Sequence, residues 1–445
     1  MSSDTYRKSP VERWLIEPVN RFMSKSTTSG IILFASAILA IIIANSPFAE
    51  RFHHFWEIKF SVGFNGSMIS KSLHHWINDG LMAIFFFVVG LELKREIVAG
   101  KLSKAKDAIF PVVAALGGMI IPALIYFIFN SSGEAAKGWG IPMATDIAFA
   151  LGILYLLGDK VPASLKVILT ALAIVDDLGA VLVIAFFYTS EINYISLGVG
   201  AMSFMVLVAA NRLGVRNTLF YGLVGIGGLW LAFLMSGIHA TIAAVIAAMT
   251  IPMSVQTPKI EYIKKIEDLI ARFRKMHTKG NLVVTESQFY LMEEINVSTR
   301  KALSPLQRLE HALHPFVAFI VLPIFALSNA GIELSADSFE HLNSTVFMGT
   351  FFGLLIGKFF GVFGTVYLLV RLKVINMPSD MNLSHVIGMG FLAAIGFTMS
   401  LFINGLAFDG ALYAEQAKLA VLLASFVAGL TGFLIVKYSG SVRKT

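Results

Sequence analysis

Asp176 and Asp177 stand side by side in VILTALAIVDDLGAVLVIAFFY, Val167 to Tyr188, a run otherwise almost wholly apolar. The run is long enough to cross a bilayer, which takes about 20 residues. A charged side chain at the membrane centre costs at least about 2.5–3.5 kcal/mol on insertion scales. Two adjoining carboxylates therefore have to face a polar cavity, and a cavity holding two acids can exchange protons and hard cations. Neighbours on a helix point about 100° apart, so the two do not share a face. One can line the cavity while the other meets a second partner, with Lys358 the leading candidate. A structural acid–lysine pair explains one carboxylate but not both.

The other ionisable residues inside apolar segments are few: Asp79, Asp146, His239 and Lys358, with Glu92 near a segment end. Each needs a partner or a water path. Asp146 lies in GWGIPMATDIAFALG, where Gly138, Gly140 and Pro142 weaken a continuous helix. Gly396, Thr398 and Ser400 interrupt a second apolar run, GMGFLAAIGFTMSLFING. Two interrupted segments in corresponding halves of a membrane protein point to a site at mid-membrane. Broken helices present charged ends, positive at the N-terminus and negative at the C-terminus. Asp146 suits the former and Lys358 the latter, so compensation of helix ends is their first reading, ahead of direct ion ligation. Thr145 offers a further oxygen to an ion. His239, in SGIHATIAAV, reads as a hydrogen-bonded turn residue. His311 and His314 share a helical face and can form a pH-responsive cluster. The pairs His53–His54 and His74–His75 are weak metal signals. Glu310-His311-Ala-Leu-His314 matches neither HExxH nor HxxEH, so a zinc hydrolase is excluded.

These residues must be positioned by membrane helices. The chain of 445 residues is 56% hydrophobic and 14% charged, against about 25% charged in soluble domains, and its mean hydropathy is +0.75. The sequence predicts an all-α polytopic membrane protein with twelve spans, near 30–47, 77–97, 108–129, 138–157, 165–188, 193–211, 217–235, 237–253, 315–332, 345–370, 384–406 and 415–437. Spans 3–5 and 10–12 would form inverted repeats. The organisation follows: a polar N-terminal segment 1–29, spans 1–8 over 30–253, a polar connector 254–314, spans 9–12 over 315–437, and a tail 438–445. No small-x-small cleavage site follows the first span, which is expected to be retained. With both termini inside, only Arg51, Lys59, Lys71 and Lys137 fall outside and Lys358 and Lys418 within or at the edge of spans, so the other Lys and Arg residues obey the positive-inside rule. The net charge of +7 is thus an orientation signal, and no nucleic-acid partner is expected. The chain has no cysteine, which removes disulfide, thiol and zinc–thiolate chemistry. In the connector, Ile260, Ile263, Ile266, Leu269, Ile270 and Phe273 recur at helical spacing, as in an amphipathic helix on the membrane or the protein surface. Gly353, Gly357 and Gly361 flank Lys358 at four-residue intervals, the pattern of tight helix packing.

The segments that carry these residues resemble the NhaA-type sodium/proton antiporters. WINDGLMAIFFFVVGLELKRE (76–96), MATDIAFALG (143–152), AIVDDLGAVLVIAFFY (173–188), SGIHAT (236–241), LEHALHPFVAF (309–319) and AIGFTMSLFING (394–405) all look like signatures of that family. The family is one of the inverted-repeat transporters. The resemblance implies twelve spans with two crossed, interrupted helices in a bacterial inner membrane. It implies that Asp177, with Asp176, binds Na+ or Li+ in alternation with protons, that Asp146 and Lys358 serve the crossing, and that Glu92, Glu310, His311 and His314 serve a pH response. It implies electrogenic exchange, with more protons entering than sodium ions leaving, and no cofactor. The connector before Leu309 is longer than the family leads one to expect.

Other chemistries fit less well. A sodium-coupled symporter wants a larger cavity and solute contacts, and no anion clamp accompanies the acid pair. A channel wants a ring of charge or a pore-lining repeat. An intramembrane aspartyl protease needs two aspartates on separate helices, which Asp146 with Asp176 or Asp177 could provide, but the GxGD and PAL patterns are absent. Membrane lipid is an expected partner, and the apolar segments near 48–75 can support a homodimer.

Overall fold

A computed structural model describes residues 26–64, 67–189, 192–276, 284–334 and 341–439. The predicted N-terminal segment and C-terminal tail lie almost wholly outside the described residues. The first apolar run forms α1, Ser26–Ala44, and α2, Ala49–Glu57, bends from it by 115°. A hairpin of β1, Lys59–Phe64, and β2, Ser67–Ser72, follows, with Phe60 opposite Lys71 and Val62 opposite Ile69. This hairpin was not expected. Its signal is the alternation of Phe60, Val62 and Phe64 before Asn65-Gly66, a dipeptide favoured in two-residue hairpin turns.

Helices then account for nearly everything. They are α3, Met82–Ala99; α4, Ala105–Phe129; a 3₁₀ segment, Glu134–Met143, leading into α5, Ile147–Leu156; α6, Ala163–Phe187; α7, Tyr194–Arg212; α8, Thr218–Ser236; and α9, Ala240–Thr250. The connector holds α10, Lys259–Lys275, and α11, Glu286–Ala302. Beyond it run α12, Pro305–Asn329; α13, Thr345–Arg371; α14, Leu383–Ala393; α15, Phe397–Ala407; and α16, Ala411–Tyr438.

Among the described residues, nine helices are long and apolar enough to cross a membrane, with Glu134–Leu156 and Leu383–Ala407 each taken as one, or ten if α1 and α2 form one bent span. Twelve spans are therefore not reached by length and composition, although each of the twelve predicted segments contains helix. α3 carries Glu92, Lys94, Arg95 and Glu96 and follows a π-turn, Trp76–Leu81. α9 has 11 residues, about 16 Å at 1.5 Å per residue, against about 30 Å of hydrocarbon.

The connector's amphipathic pattern falls wholly on α10, which packs on α11. Leu269 and Leu291 are buried there, while Ile260, Ile263 and Ile270 remain exposed. α12 starts at Pro305, ahead of the apolar run, because Ser304 and Gln307 form a capping box around a proline at the first turn.

Close helix contact is bought with small residues. A Cβ at Gly361 of α13 would stand 2.3 Å from the Gly117 carbonyl of α4, and one at Gly357 would stand 2.8 Å from Pro122 Cα. Gly361→Ala is expected to lower the melting temperature of the purified protein, since overpacking costs about 1–3 kcal/mol. Gly364→Ala, whose Cβ meets no atom of the described residues within 4 Å, should leave it unchanged; equal melting of the two variants would contradict this packing.

Candidate ion site at the helix crossing

Two backbone breaks meet at the centre of the molecule. Pro142 and its neighbouring glycines end the 3₁₀ segment at Met143, and Ala144 turns extended. On the other side, α14 ends at Ala393 and α15 restarts at Phe397. The breaks are stitched together: the Asp146 amide donates to the Ile395 carbonyl at 2.6 Å, and Thr145 Oγ1 donates to the Ala393 carbonyl at 2.8 Å. Backbone groups that a continuous helix would pair internally are thus satisfied across the crossing.

Asp146 caps two helices at once. Its Oδ1 accepts from the Phe149 amide of α5 at 2.9 Å. Its Oδ2 accepts from the Thr398 amide and hydroxyl of α15, at 3.0 and 2.5 Å. Both partially positive N-termini therefore converge on one carboxylate. Lys358, on α13, meets the opposite polarity. Its ammonium donates to the Met143 carbonyl at the end of the 3₁₀ segment and to Asp176 Oδ2 at 2.6 Å.

Asp176 and Asp177 sit midway along α6, with Asp146, Thr145 and Lys358 around them, and all five residues are at most 1% exposed. Their helix packs against α4 and α5, and Thr145 lies beside Asp176. The two acids differ as the 100° offset requires. Among the described residues, Asp176 engages Lys358 through Oδ2 while its Oδ1 has no partner, and both carboxylate oxygens of Asp177 are buried with no hydrogen-bond partner. The charged neighbours of Asp177 are Asp176, Asp146, Glu92 and Lys358. A buried carboxylate in that condition is costly as a bare anion. A proton or a small cation removes the cost, and the two compete for the same oxygens.

The remaining candidates fall into two groups away from the crossing. Glu92 on α3 has Glu310, Arg95 and Glu96 as charged neighbours. Arg95 pairs with Glu310 of α12 and lies 3.4 Å from Glu96. His311 neighbours Glu310, and His314 neighbours His311 and Arg95. At the other end, Asp79 neighbours Lys71, His239 and His75. The His239 Nε2 donates to the Tyr188 carbonyl at the end of α6, at 2.6 Å. Sequence reasoning missed Arg95 and Lys94. The Lys94 ammonium donates to the Met249 and Ile251 carbonyls and so caps the C-terminal end of α9. The available signal was the unbroken Lys94-Arg95 pair at the end of an apolar run, which reads first as a topology marker. Among the described residues, no group of three or more His, Cys, Asp and Glu side chains is arranged to hold a metal ion.

The chain matches known proteins along nearly its whole length. A family model described as Na+/H+ antiporter 1 matches residues 20–436. A protein of Oleidesulfovibrio alaskensis named Na(+)/H(+) antiporter NhaA is 48% identical over 429 residues, covering 96% of this chain and 95% of that one. A protein of the same name from Acidithiobacillus ferrooxidans is 47% identical, covering 94% and 97%. Na(+)/H(+) antiporter NhaA 1 of Saccharophagus degradans is 43% identical, covering 98% and 97%.

Removing one member of a buried ion pair costs about 3–5 kcal/mol, because the other charge is left uncompensated. Lys358→Met should accordingly lower the melting temperature strongly, and the double variant Lys358→Met/Asp176→Asn should recover much of the loss. Additive losses in the double variant would show that the two side chains are not coupled.

Proposed function

This chain belongs to the Na+/H+ antiporter 1 family, and we propose that it exchanges Na+ or Li+ for protons by competition at the Asp176–Asp177 pair. It is a multi-pass membrane protein, and the family is one of transporters rather than peptidases. The observation that carries the proposal is the state of Asp177: two buried oxygens with no donor, next to an acid already held by a lysine. Such a carboxylate is neutralised by H+ or by an alkali cation, never by both at once. When the site faces the cell interior it releases a proton and takes Na+; facing the more acidic exterior it does the reverse. Thr145 supplies a further oxygen, while Asp146 and Lys358 hold the helix ends that frame the cavity.

Four further assignments belong to the same reading. The protein resides in a bacterial inner membrane with both termini in the cytoplasm, as the Lys and Arg distribution supports. More protons enter than sodium ions leave, so transport moves charge. The cluster of Glu92, Arg95, Glu310, His311 and His314 adjusts activity to internal pH. The β1–β2 hairpin, with Phe60 and Val62 exposed, offers an edge for a second copy of the chain.

Asp177→Asn is expected to abolish Na+-dependent proton movement in everted vesicles while leaving the protein folded. Vigorous exchange by a folded Asp177→Asn protein would sink the assignment. In proteoliposomes, turnover should change with an imposed membrane potential; indifference to potential would remove the claim that charge is moved. Glu310→Gln, which removes one of the two acids beside the Arg95 guanidinium, should displace the pH profile of exchange, and an unaltered profile would dissociate this cluster from regulation.

A further inference from the structure

The segment leading into the crossing from the outer side is a 3₁₀ helix of ten residues, Glu134–Met143, whereas runs beyond 3–4 residues are uncommon and mark hinges or strain. At about 2.0 Å rise per residue it spans about 20 Å, and an α-helix of the same residues would span about 15 Å. Something must hold it stretched. Four of its carbonyls accept side-chain donors, three from different helices and one from the residue that follows a fourth. Tyr126 of α4 donates to Ala135 at 2.7 Å. Tyr188, immediately after α6, donates to Lys137 at 2.7 Å. Ser400 of α15 donates to Ile141 at 2.7 Å, and Lys358 of α13 donates to Met143.

Tyr188 is the most telling of the four. Its hydroxyl also accepts from the Gly140 amide, at 3.2 Å. It therefore bridges the 137 carbonyl and the 140 amide, the two groups that a 3₁₀ turn pairs with each other. In an α-helix those groups would instead pair with the 141 amide and the 136 carbonyl. A side chain seated there favours the stretched form over the compact one. The glycines fit this arrangement. A Cβ on Gly140 would stand 2.7 Å from the Tyr188 hydroxyl, and one on Gly138 would stand 2.3 Å from the Tyr126 hydroxyl. Tyr188 is itself anchored, because its carbonyl accepts from His239.

We infer that Tyr188 is a positioning residue: its hydroxyl, seated in the 3₁₀ segment, keeps that segment long enough for the Met143 carbonyl to reach Lys358. The inference rests on the proposed exchange at Asp176 and Asp177. The helix that carries both acids leads directly into the tyrosine that sets the reach of the opposing half-helix. With the hydroxyl removed, the segment shortens and Met143 withdraws. The ammonium is then no longer shared, donates wholly to the acids, and competes better with Na+ for their oxygens.

The test is Tyr188→Phe, which keeps the ring and loses the hydroxyl, studied in proteoliposomes with Na+-dependent thermal stabilisation measured alongside. The KM for Na+ and the Na+ concentration giving half-maximal stabilisation should both rise about tenfold, the worth of one hydrogen bond to a charged group, with kcat little changed. Gly140→Ala, which retains the phenol but displaces its hydroxyl, should shift both quantities the same way and serves if Tyr188→Phe does not fold. A folded variant with unchanged KM and unchanged Na+ stabilisation, whatever its kcat, would overturn the inference. An active Asp177→Asn protein would overturn the exchange site instead, so the two failures are distinguishable.

Discussion

A lysine ammonium with no exposed surface has to be neutralised where it stands, and much of the architecture around Lys358 follows from that requirement. Its neutralising groups are of two kinds: an ionised side chain, Asp176, and the electronegative end of a half-helix, the Met143 carbonyl. Asp176 reaches it from the unbroken α6, but the carbonyl could not if its own segment ran on as a continuous helix, because a mid-helix carbonyl is already committed to its own ladder. The break after Met143 is thus a condition for burying the lysine. The break also creates two helix N-termini, and these find their answer in Asp146. Once Asp146 has been used by the helix ends and Asp176 by the lysine, Asp177 is the carboxylate left over. That unanswered acid is where the proposed exchange would place its cation.

Which parts of this were legible in the sequence depends on the range of the physics involved. Charges inside apolar runs are conspicuous because the bilayer makes each of them expensive. Asp146, Asp176, Asp177 and Lys358 could therefore be named, and Gly138, Gly140 and Pro142 mark the weakened helix. The span pattern was likewise visible, though α9 at 11 residues shows that an apolar run does not state how much of itself will be helical. The long-range pairings were less accessible. That Asp176 rather than Asp177 meets Lys358 depends on the rotation of α6, and a 100° step between neighbours says only that one of them will. The double capping by Asp146 requires Thr398 to arrive from a helix 252 residues away, which no local pattern encodes. The hydroxyls of Tyr126 and Tyr188 were invisible for a related reason: a tyrosine near the end of an apolar span reads first as an interfacial anchor.

The charged cluster beside α12 and the crossing are separate in space but not in field. Glu92 neighbours Glu310 and Arg95 on one side and is among the charged neighbours of Asp177 on the other. A change of charge at Glu310 or at the histidines beside it alters the potential at Glu92, and a change at Glu92 alters the potential at Asp177. In a water-poor interior such steps are weakly screened. Coupling of this sort needs no moving wire between the two places. It requires only that α3 hold Glu92 at a fixed distance from both. α3 is suited to that task, because Gly90 lets it press against α9, where a Cβ would stand 2.8 Å from Ala248, and Lys94 ties its next turn to the carbonyls at the end of the same helix. Rigidity in α3 is therefore what would carry a change of charge beside α12 to the carboxylates at the crossing, as the proposed pH response requires.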